Sequence, residues 1–336
     1  MQAFHRASSQ IAAEAPIEKV LPLHDGRRAP LSLNIVVVGA GLGGLAATYC
    51  LAQGGHRVTL LESAPALGDV GAGIQVSPNQ SRLLIRWGLG QALAATAVVP
   101  EALVFRRYDT GERIGYSHCG AAMNNEHGAP YYHIHRADYH TLLHRLARAA
   151  PSVHIRLGAT VLTVQPDPAA GGGPSVTLAT GEVIHADLII AADGVKSTIQ
   201  KVVTGLDDNP TPTGDAAYRA TIPTDVMMSD PDLRPFVETP EMTGWMAPGR
   251  HLMAYCIVRV SFSLACKTRF GVVCANERHL LLFGSVHSAQ KRNSTWCCFI
   301  RTTDPSSRGR RKAVAIRCAP SLRTLSHGEL PTPATS

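Results

Sequence analysis

Three glycines and one acid carry the clearest chemistry in this 336-residue sequence. Gly39, Gly41 and Gly44 form G-x-G-x-x-G, and Glu62 follows 18 residues after Gly44. In this pattern the first glycine permits a tight turn and the second lets backbone approach a pyrophosphate. The third lets a helix pack closely on a strand. A helix N-terminus then offers unpaired N–H groups and a positive dipole end to phosphate. A carboxylate closing the next strand can accept hydrogen bonds from ribose hydroxyls. The chemistry is dinucleotide binding, and the spacing alone does not separate FAD from NAD. A glycine triplet by itself is an ordinary turn, so the flanking elements decide.

Those elements are present. Residues 34–38 (NIVVV) are an apolar, β-branched run of the kind buried in a parallel sheet. Residues 45–52 read as a helix ended by Gly54-Gly55, and residues 57–61 form a second strand closing on Glu62. The order strand, glycine turn, helix, strand, acid is one βαβ unit of an α/β fold. Residues 137–149 predict an amphipathic helix with Tyr139, Leu142, Leu143 and Leu146 on one face. Residues 153–157, 161–164 and 176–178 alternate like antiparallel strands, with a glycine- and proline-rich turn at 166–174. Residues 188–192 (LIIAA) predict another buried strand ending in Asp193-Gly194. Residues 218–222 and 251–257 predict strands of a second, sheet-based region.

Several segments, in order over about 220 residues, resemble the class A FAD-dependent aromatic-ring monooxygenases, closest to the salicylate-hydroxylase-like group. They are residues 39–62, LGDVGAGIQVSPN at 67–79, and IHRADY at 134–139, which is similar to the family's HRxDL. LIIAADGVKSTI at 188–199 resembles its GADGxxSxxR motif, and YRATI at 218–222 and GWMAPGRH at 244–251 are also similar. Two departures stand in that motif: Ala191 takes the place of the usual glycine and Gln200 that of the arginine. Loss of the arginine weakens the case for a normal nicotinamide site.

The resemblance implies a Rossmann-like FAD-binding domain of the glutathione-reductase and aromatic-hydroxylase type, with an interleaved β-sheet substrate domain at about 100–120 and 210–257. It implies that Glu62 holds the adenosine ribose and that Gly71, Ala72 and Gly73 pass close to the flavin. Arg136 would face the FAD pyrophosphate, where a guanidinium pairs bidentately with phosphate oxygens; otherwise it is a surface residue at a helix start. Asp193-Gly194 would touch FAD and the region where NAD(P)H docks; otherwise it is a strand-ending turn. Arg219 is the best substrate-side catalytic candidate, as a fixed cation stabilising phenolate. Tyr255 is its weaker companion, equally read as a half-buried strand tyrosine. Of the histidines, only His135 sits in a motif.

For such a family the reaction follows from the cofactor. NAD(P)H reduces FAD, O₂ adds to give a flavin hydroperoxide, and oxygen passes to an electron-rich phenolic, salicylate-like or polyketide-like ring. Epoxidation or flavin-dependent reduction on the same scaffold is one alternative. A catalytically impaired FAD-binding fragment is another. GDAAY at 214–218 imitates the family's third fingerprint, but it lies too soon after Asp193-Gly194 and belongs to the strand of Tyr218 and Arg219. The third fingerprint is therefore expected to be absent.

Charge and cysteine divide the chain. Of 32 Lys/Arg and 25 Asp/Glu, residues 258–336 hold 13 and 3, so this stretch carries all the excess positive charge and the body is faintly acidic. Without aromatic interleaving or a motif, that charge makes no case for nucleic acid. Cys50, Cys119 and Cys256 lie in the body and five more in the tail, without a CxxC pair. Neither zinc nor disulfides is indicated, and the body suits a reducing cytoplasm. No apolar run is long enough to span a bilayer. Residues 1–33 read as a disordered extension rather than a signal or transit peptide. After Ile257 the periodicity fails. Val258-Arg259 is encodable as GTACGT, a splice-donor-compatible sequence, so residues 258–336 are expected to be intron read-through or a frameshift rather than a lineage-specific domain.

Overall fold

The computed structural model describes residues 12–18, 23–67, 73–166, 173–207, 210–211, 216–257, 269–276, 297–302 and 312–317. In chain order the strands begin with β1 (Asn34–Val38), β2 (Arg57–Leu61), β3 (Gly73–Val76), β4 (Ala102–Arg107), β5 (Arg113–His118) and β6 (Tyr132–His135). They continue with β7 (Val153–Arg156), β8 (Val161–Gln165), β9 (Ser175–Leu178), β10 (Val183–His185) and β11 (Leu188–Ala191). The last are β12 (Ala216–Pro223), β13 (Met242–Ala247), β14 (Arg250–Cys256), β15 (Arg269–Asn276), β16 (Cys297–Thr302) and β17 (Lys312–Arg317). Three helices matter most: α1 (Leu42–Gln53), α2 (Arg136–Ala149) and α3 (Gln200–Thr204).

The chain folds as two compact units. The first comprises Met1–Ile74, Asn79–Ala97 and Ile134–Thr211. Its four-stranded sheet has the order β11-β1-β2-β7, and every pairing in it is parallel. Parallel neighbours need crossover connections, and α1 supplies the one between β1 and β2. The Val36, Val38 and Leu61 side chains pack with Val176, Leu178 and Ile199 into one core. α2 buries Tyr139, Leu142, Leu143 and Leu146, the face its periodicity predicts.

Two strands of this unit differ from the sequence reading. β7 alternates weakly in sequence but runs parallel to β2, from Val58 opposite Val153 to Leu61 opposite Arg156. It follows α2, which returns the chain to the same end of the sheet. β11 is not fully buried, and Leu188 is 41% exposed. It ends the sheet, and among the described residues no strand pairs with its outer edge. β8 and β9 pair antiparallel as expected, and β10, which the sequence reading did not include, pairs antiparallel with β9.

Part of the extension expected to be disordered has a defined place. Ala12, Ala15 and Leu23 are buried. The Arg145 guanidinium donates to the Ala12 carbonyl at 2.6 Å. Glu18 N–H donates to the Gly88 carbonyl at 2.9 Å, and a Glu18 carboxylate oxygen accepts from Gln91 N–H at 3.1 Å. These contacts hold a short strap through backbone groups and two charged side chains, and residues 12–18 are too few to show a hydrophobic period.

The second unit comprises Gln75–Pro78, Val98–His133 and Pro212–Ser336. Its six-stranded sheet has the order β12-β15-β14-β13-β4-β5. Leu252, Ala254 and Cys256 of β14 pack with Val98, Met227, Leu233 and Val237. On the other set of alternating positions, Tyr255 packs with Met242 and Ile257. The stretch read as aperiodic contributes β15, which lies between β12 and β14, and the antiparallel pair β16 and β17. A ladder is made by backbone groups, so it forms without the side-chain alternation that the tail lacks.

Gly88 sits at φ 89°, and a Cβ there would overlap the Glu18 carbonyl oxygen. Gly88→Ala should therefore cost about 1–3 kcal/mol, measured as a lower urea midpoint with earlier proteolysis between residues 12 and 18. An unchanged midpoint would show that the strap does not pack against Gly88.

Candidate functional site

The glycine turn of the first unit is built by close backbone approach. Gly39 has φ +101°, a region that L side chains rarely adopt, and a Cβ on it would overlap the Ala192 carbonyl oxygen just past β11. A Cβ on Gly44 would overlap the Gly39 carbonyl oxygen and stand 3.3 Å from the Ala192 Cβ. The third glycine thus packs α1 against both β1 and β11. Gly41 is different: nothing lies within 4 Å of where its Cβ would stand. It is the N-cap of α1, with no side-chain cap and no acid in the first turn. That open, uncapped helix start fits a pyrophosphate.

Glu62 follows β2 and faces the same turn. One carboxylate oxygen accepts from Ala40 N–H at 2.8 Å, and the other accepts from Ala64 N–H at 2.9 Å. Burial pushes this carboxyl up, but the hydrogen bonds from Ala64, Ala40 and Ser63 outweigh it and leave the group below its ordinary value. The Ala40 carbonyl is held in turn by His140 Nε2 of α2 at 2.7 Å. His140 was not legible as part of the site: it stands about one helical turn past the HRxD segment with no motif of its own.

The other expected cofactor residues take these positions. Gly71 and Ala72 lie outside the described residues, and Gly73 opens β3, buried. Arg136 is the first residue of α2, half-buried, behind His135, whose Nδ1 accepts from Ala137 N–H at 3.3 Å as the N-cap. The Asp193 carboxylate accepts from Ser197 Oγ at 2.7 Å and from the N–H groups of Thr198 at 2.8 Å and Ile199 at 3.3 Å. Gly194 follows at φ +80°. Asp193 and Gly194 thus shape the turn that leads to α3. Gly39, Gly41, Gly44, Glu62, Asp193 and Gly194 converge on the ends of β1, β2 and β11.

The second unit holds an aromatic cluster. His133 and Tyr255 have ring centroids 4.7 Å apart, and Tyr131 stands edge-on to His133 at 5.7 Å. The Tyr131 hydroxyl donates to Gln75 Oε1 at 2.7 Å, and Gln75 Nε2 donates to Met242 Sδ at 3.0 Å. Burial lowers the His133 imidazole to about 3, offset in part by the Cys256 carbonyl. Burial likewise raises the Tyr131 hydroxyl to about 12. Both rings are therefore neutral at neutral pH. Of the two substrate-side candidates, Tyr255 belongs to this cluster. Arg219 lies mid-strand in β12, opposite Val273 of β15, with its side chain outside the described residues. His133, Tyr131 and Gln75 were not singled out in the sequence, because an isolated histidine between two strand residues reads as core. Among the described residues no group of His, Cys, Asp and Glu could hold a metal ion, and no helix is long and apolar enough to cross a membrane.

A parallel β-sheet with this glycine turn, acid and uncapped helix defines a dinucleotide-binding fold. Residues 32–314 match the FAD binding domain family, and the chain belongs to it. That match runs past Ile257, where the family pattern was expected to stop. The chain is 37% identical over 228 residues to "FAD-dependent monooxygenase OpS4" of Beauveria bassiana, covering 67% of this chain and 52% of that protein. It is 32% identical over 222 residues to "3-hydroxybenzoate 6-hydroxylase 1" of Aquipseudomonas alcaligenes, covering 66% and 54%. The chain thus spans about half the length of these relatives. The fold is similar to the crystal structure of FqzB, with TM-score 0.60 and 24% identity over 82% of this chain and 59% of that one. It is also similar to CtdE in complex with FAD, with TM-score 0.59 and 18% identity over 78% and 62%.

Gly44→Ala should destabilise the first unit by about 1–3 kcal/mol through overpacking and lower flavin retention at least ~10-fold, read from denaturation midpoint and bound-flavin absorbance. Normal retention would separate the turn from the cofactor. For Glu62 the folded value lies below the unfolded one, so its contribution is present above about pH 4.5 and fades as pH falls through the folded value. Glu62→Gln should remove that part of the acid-induced fall in melting temperature. Identical pH profiles for the two proteins would count against it.

Proposed function

We propose that this protein is an FAD- and NAD(P)H-dependent monooxygenase that hydroxylates a phenolic or other aromatic substrate with O₂, in the reducing cytoplasm. The observation that carries the reading is the glycine turn whose Gly39 and Gly44 leave no room for a Cβ while Gly41 faces open space. Family membership and the monooxygenase names of the relatives support it. Bound FAD supplies the redox chemistry of oxygen activation and transfer.

The chain's own residues bind and orient. The uncapped start of α1 takes the pyrophosphate, and Arg136 adds a guanidinium to it. Glu62 stands ready for the adenosine ribose, holding the turn through Ala40 as it does so. Gly71, Ala72 and Gly73 pass near the flavin, and Asp193-Gly194 closes the cofactor side. Arg219 holds the ionised form of a phenol, and Tyr255 forms an aromatic wall for the ring. No nucleophile or catalytic triad is required. Free Cys50, Cys119 and Cys256 agree with a reducing compartment.

A second reading has its own support. Since the chain spans about half of its relatives, an FAD-binding fragment without hydroxylation is the specific rival. The residues after Ile257 bear on it directly, as transcript reads crossing codon 257 without a junction would exclude intron read-through. The deciding measurement is the visible spectrum of the purified chain, followed by product analysis under ¹⁸O₂. Bound flavin, phenol-dependent NAD(P)H oxidation and ¹⁸O in the product are expected. Flavin uptake without ¹⁸O incorporation would leave the fragment or a reductase, and absence of uptake would overturn the flavoenzyme reading.

A further inference from the structure

Each peptide group of the glycine turn is held by its own partner. Gly39 N–H donates to the Leu61 carbonyl at 2.7 Å, which fixes the peptide before Gly39. Ala40 N–H donates to Glu62 at 2.8 Å, which fixes the next one. Farther on, the Gly41 carbonyl accepts from Leu45 N–H at 3.0 Å as α1 begins. Between these lies the peptide that joins Ala40 to Gly41. Among the described residues its holder is His140, half-buried on α2, whose Nε2 stands 2.7 Å from the Ala40 carbonyl oxygen. A carbonyl oxygen only accepts, so Nε2 is the nitrogen that carries the hydrogen.

This peptide is the one most able to turn over. A flip of its plane exchanges the directions of carbonyl and N–H, through ψ of the residue before it and φ of the residue after. The residue after is Gly41, at φ −68°, and glycine takes positive φ as readily as negative. Nothing lies within 4 Å of where its Cβ would stand, so packing does not oppose the flip. In a trans peptide the carbonyl and N–H point opposite ways. With the Ala40 carbonyl drawn to α2, the Gly41 N–H is directed away from it. The flipped plane would turn a carbonyl oxygen to that side and repel an anion. The hydrogen bond from His140 also polarises the peptide, which makes its N–H a stronger donor. Resting on the flavoenzyme reading, we infer that His140 is a positioning residue for the cofactor, keeping the Gly41 N–H turned to the FAD pyrophosphate. It acts through the Ala40–Gly41 peptide, and no bond is made or broken.

The test is FAD binding by the full chain, stripped of flavin and titrated by quenching of flavin fluorescence. Denaturation midpoints are recorded on the same samples. Wild-type protein should bind FAD, and His140→Leu, which removes the donor, should weaken binding at least ~10-fold. His140→Gln, whose amide N–H can reach the same carbonyl, should stay within about 3-fold of wild type. A ring that only fills space would make the two variants alike. A second readout is the tautomer itself: ¹⁵N NMR of the wild-type chain should show the hydrogen on Nε2 of His140, the signal being assigned by its absence from His140→Gln. The inference is overturned if His140→Leu binds FAD as wild type does, if His140→Gln loses as much as His140→Leu, or if the hydrogen sits on Nδ1 alone. Should His140→Leu not fold, a loss of ~10-fold or more in His140→Gln overturns it, and retained affinity with the hydrogen on Nε2 sustains it. Wild-type protein that binds FAD no better than His140→Leu fails this inference alone, whereas wild-type protein that takes up no FAD fails the flavoenzyme reading.

Discussion

The first unit depends on backbone atoms meeting where side chains would not fit. Gly39 lies against the carbonyl of Ala192, and Gly44 lies against the carbonyl of Gly39. These contacts bring the end of β1, the start of α1 and the end of β11 to one place, although β11 is some 150 residues away in sequence. Once they are joined, the remaining polar groups have little freedom. Glu62 reaches back to Ala40 N–H, His140 takes the Ala40 carbonyl from the other side, and Asp193 shapes the turn beyond β11. Both polar groups of the Ala40 backbone are thereby engaged, which holds the turn in one conformation and leaves Gly41 facing open space. A site that recognises phosphate through backbone N–H groups needs this stiffness, because the N–H vectors are only as well aimed as the turn that carries them.

Much of that unit was legible before any coordinates. The apolar run at β1, the glycine spacing, the strand of residues 57–61 and the face of α2 all obey short-range rules that a single sequence displays. Two readings went astray for long-range reasons. The alternation of residues 153–157 suggested antiparallel pairing, but the partner of a strand is set by the connection before it, here α2. Burial of residues 188–192 was inferred from composition, whereas burial of a strand depends on its place in the sheet, and β11 stands at the edge. The strap at residues 12–18 escaped notice because its contacts run through the Ala12 carbonyl, the Glu18 N–H and the Gly88 carbonyl, groups that every residue has.

The tail shows the same limit from the opposite side. Residues 269–276 lack a clean alternation, yet β15 pairs along its length with β12 on one side and β14 on the other. A strand placed between two others is constrained by both ladders at once, so backbone hydrogen bonding can define it where side-chain pattern does not. The basic character of residues 258–336 is therefore no measure of whether they join the sheet.

The two candidate sites differ in how recognition is written, and that difference decides what a sequence reveals. A cofactor held by backbone groups demands glycine at particular positions, since any Cβ would fill the space, and the demand appears as a fixed spacing. Recognition by side chains leaves no such trace. Gln75, His133 and Tyr255 come from β3, β6 and β14, Tyr131 stands just before β6, and each is unexceptional in its own segment. What marks His133 is visible only in three-dimensional placement: a buried ring nitrogen without a hydrogen-bond partner, between two tyrosine rings. A buried polar atom of this kind is set by which strands meet around it, and no rule of spacing within one strand can announce it.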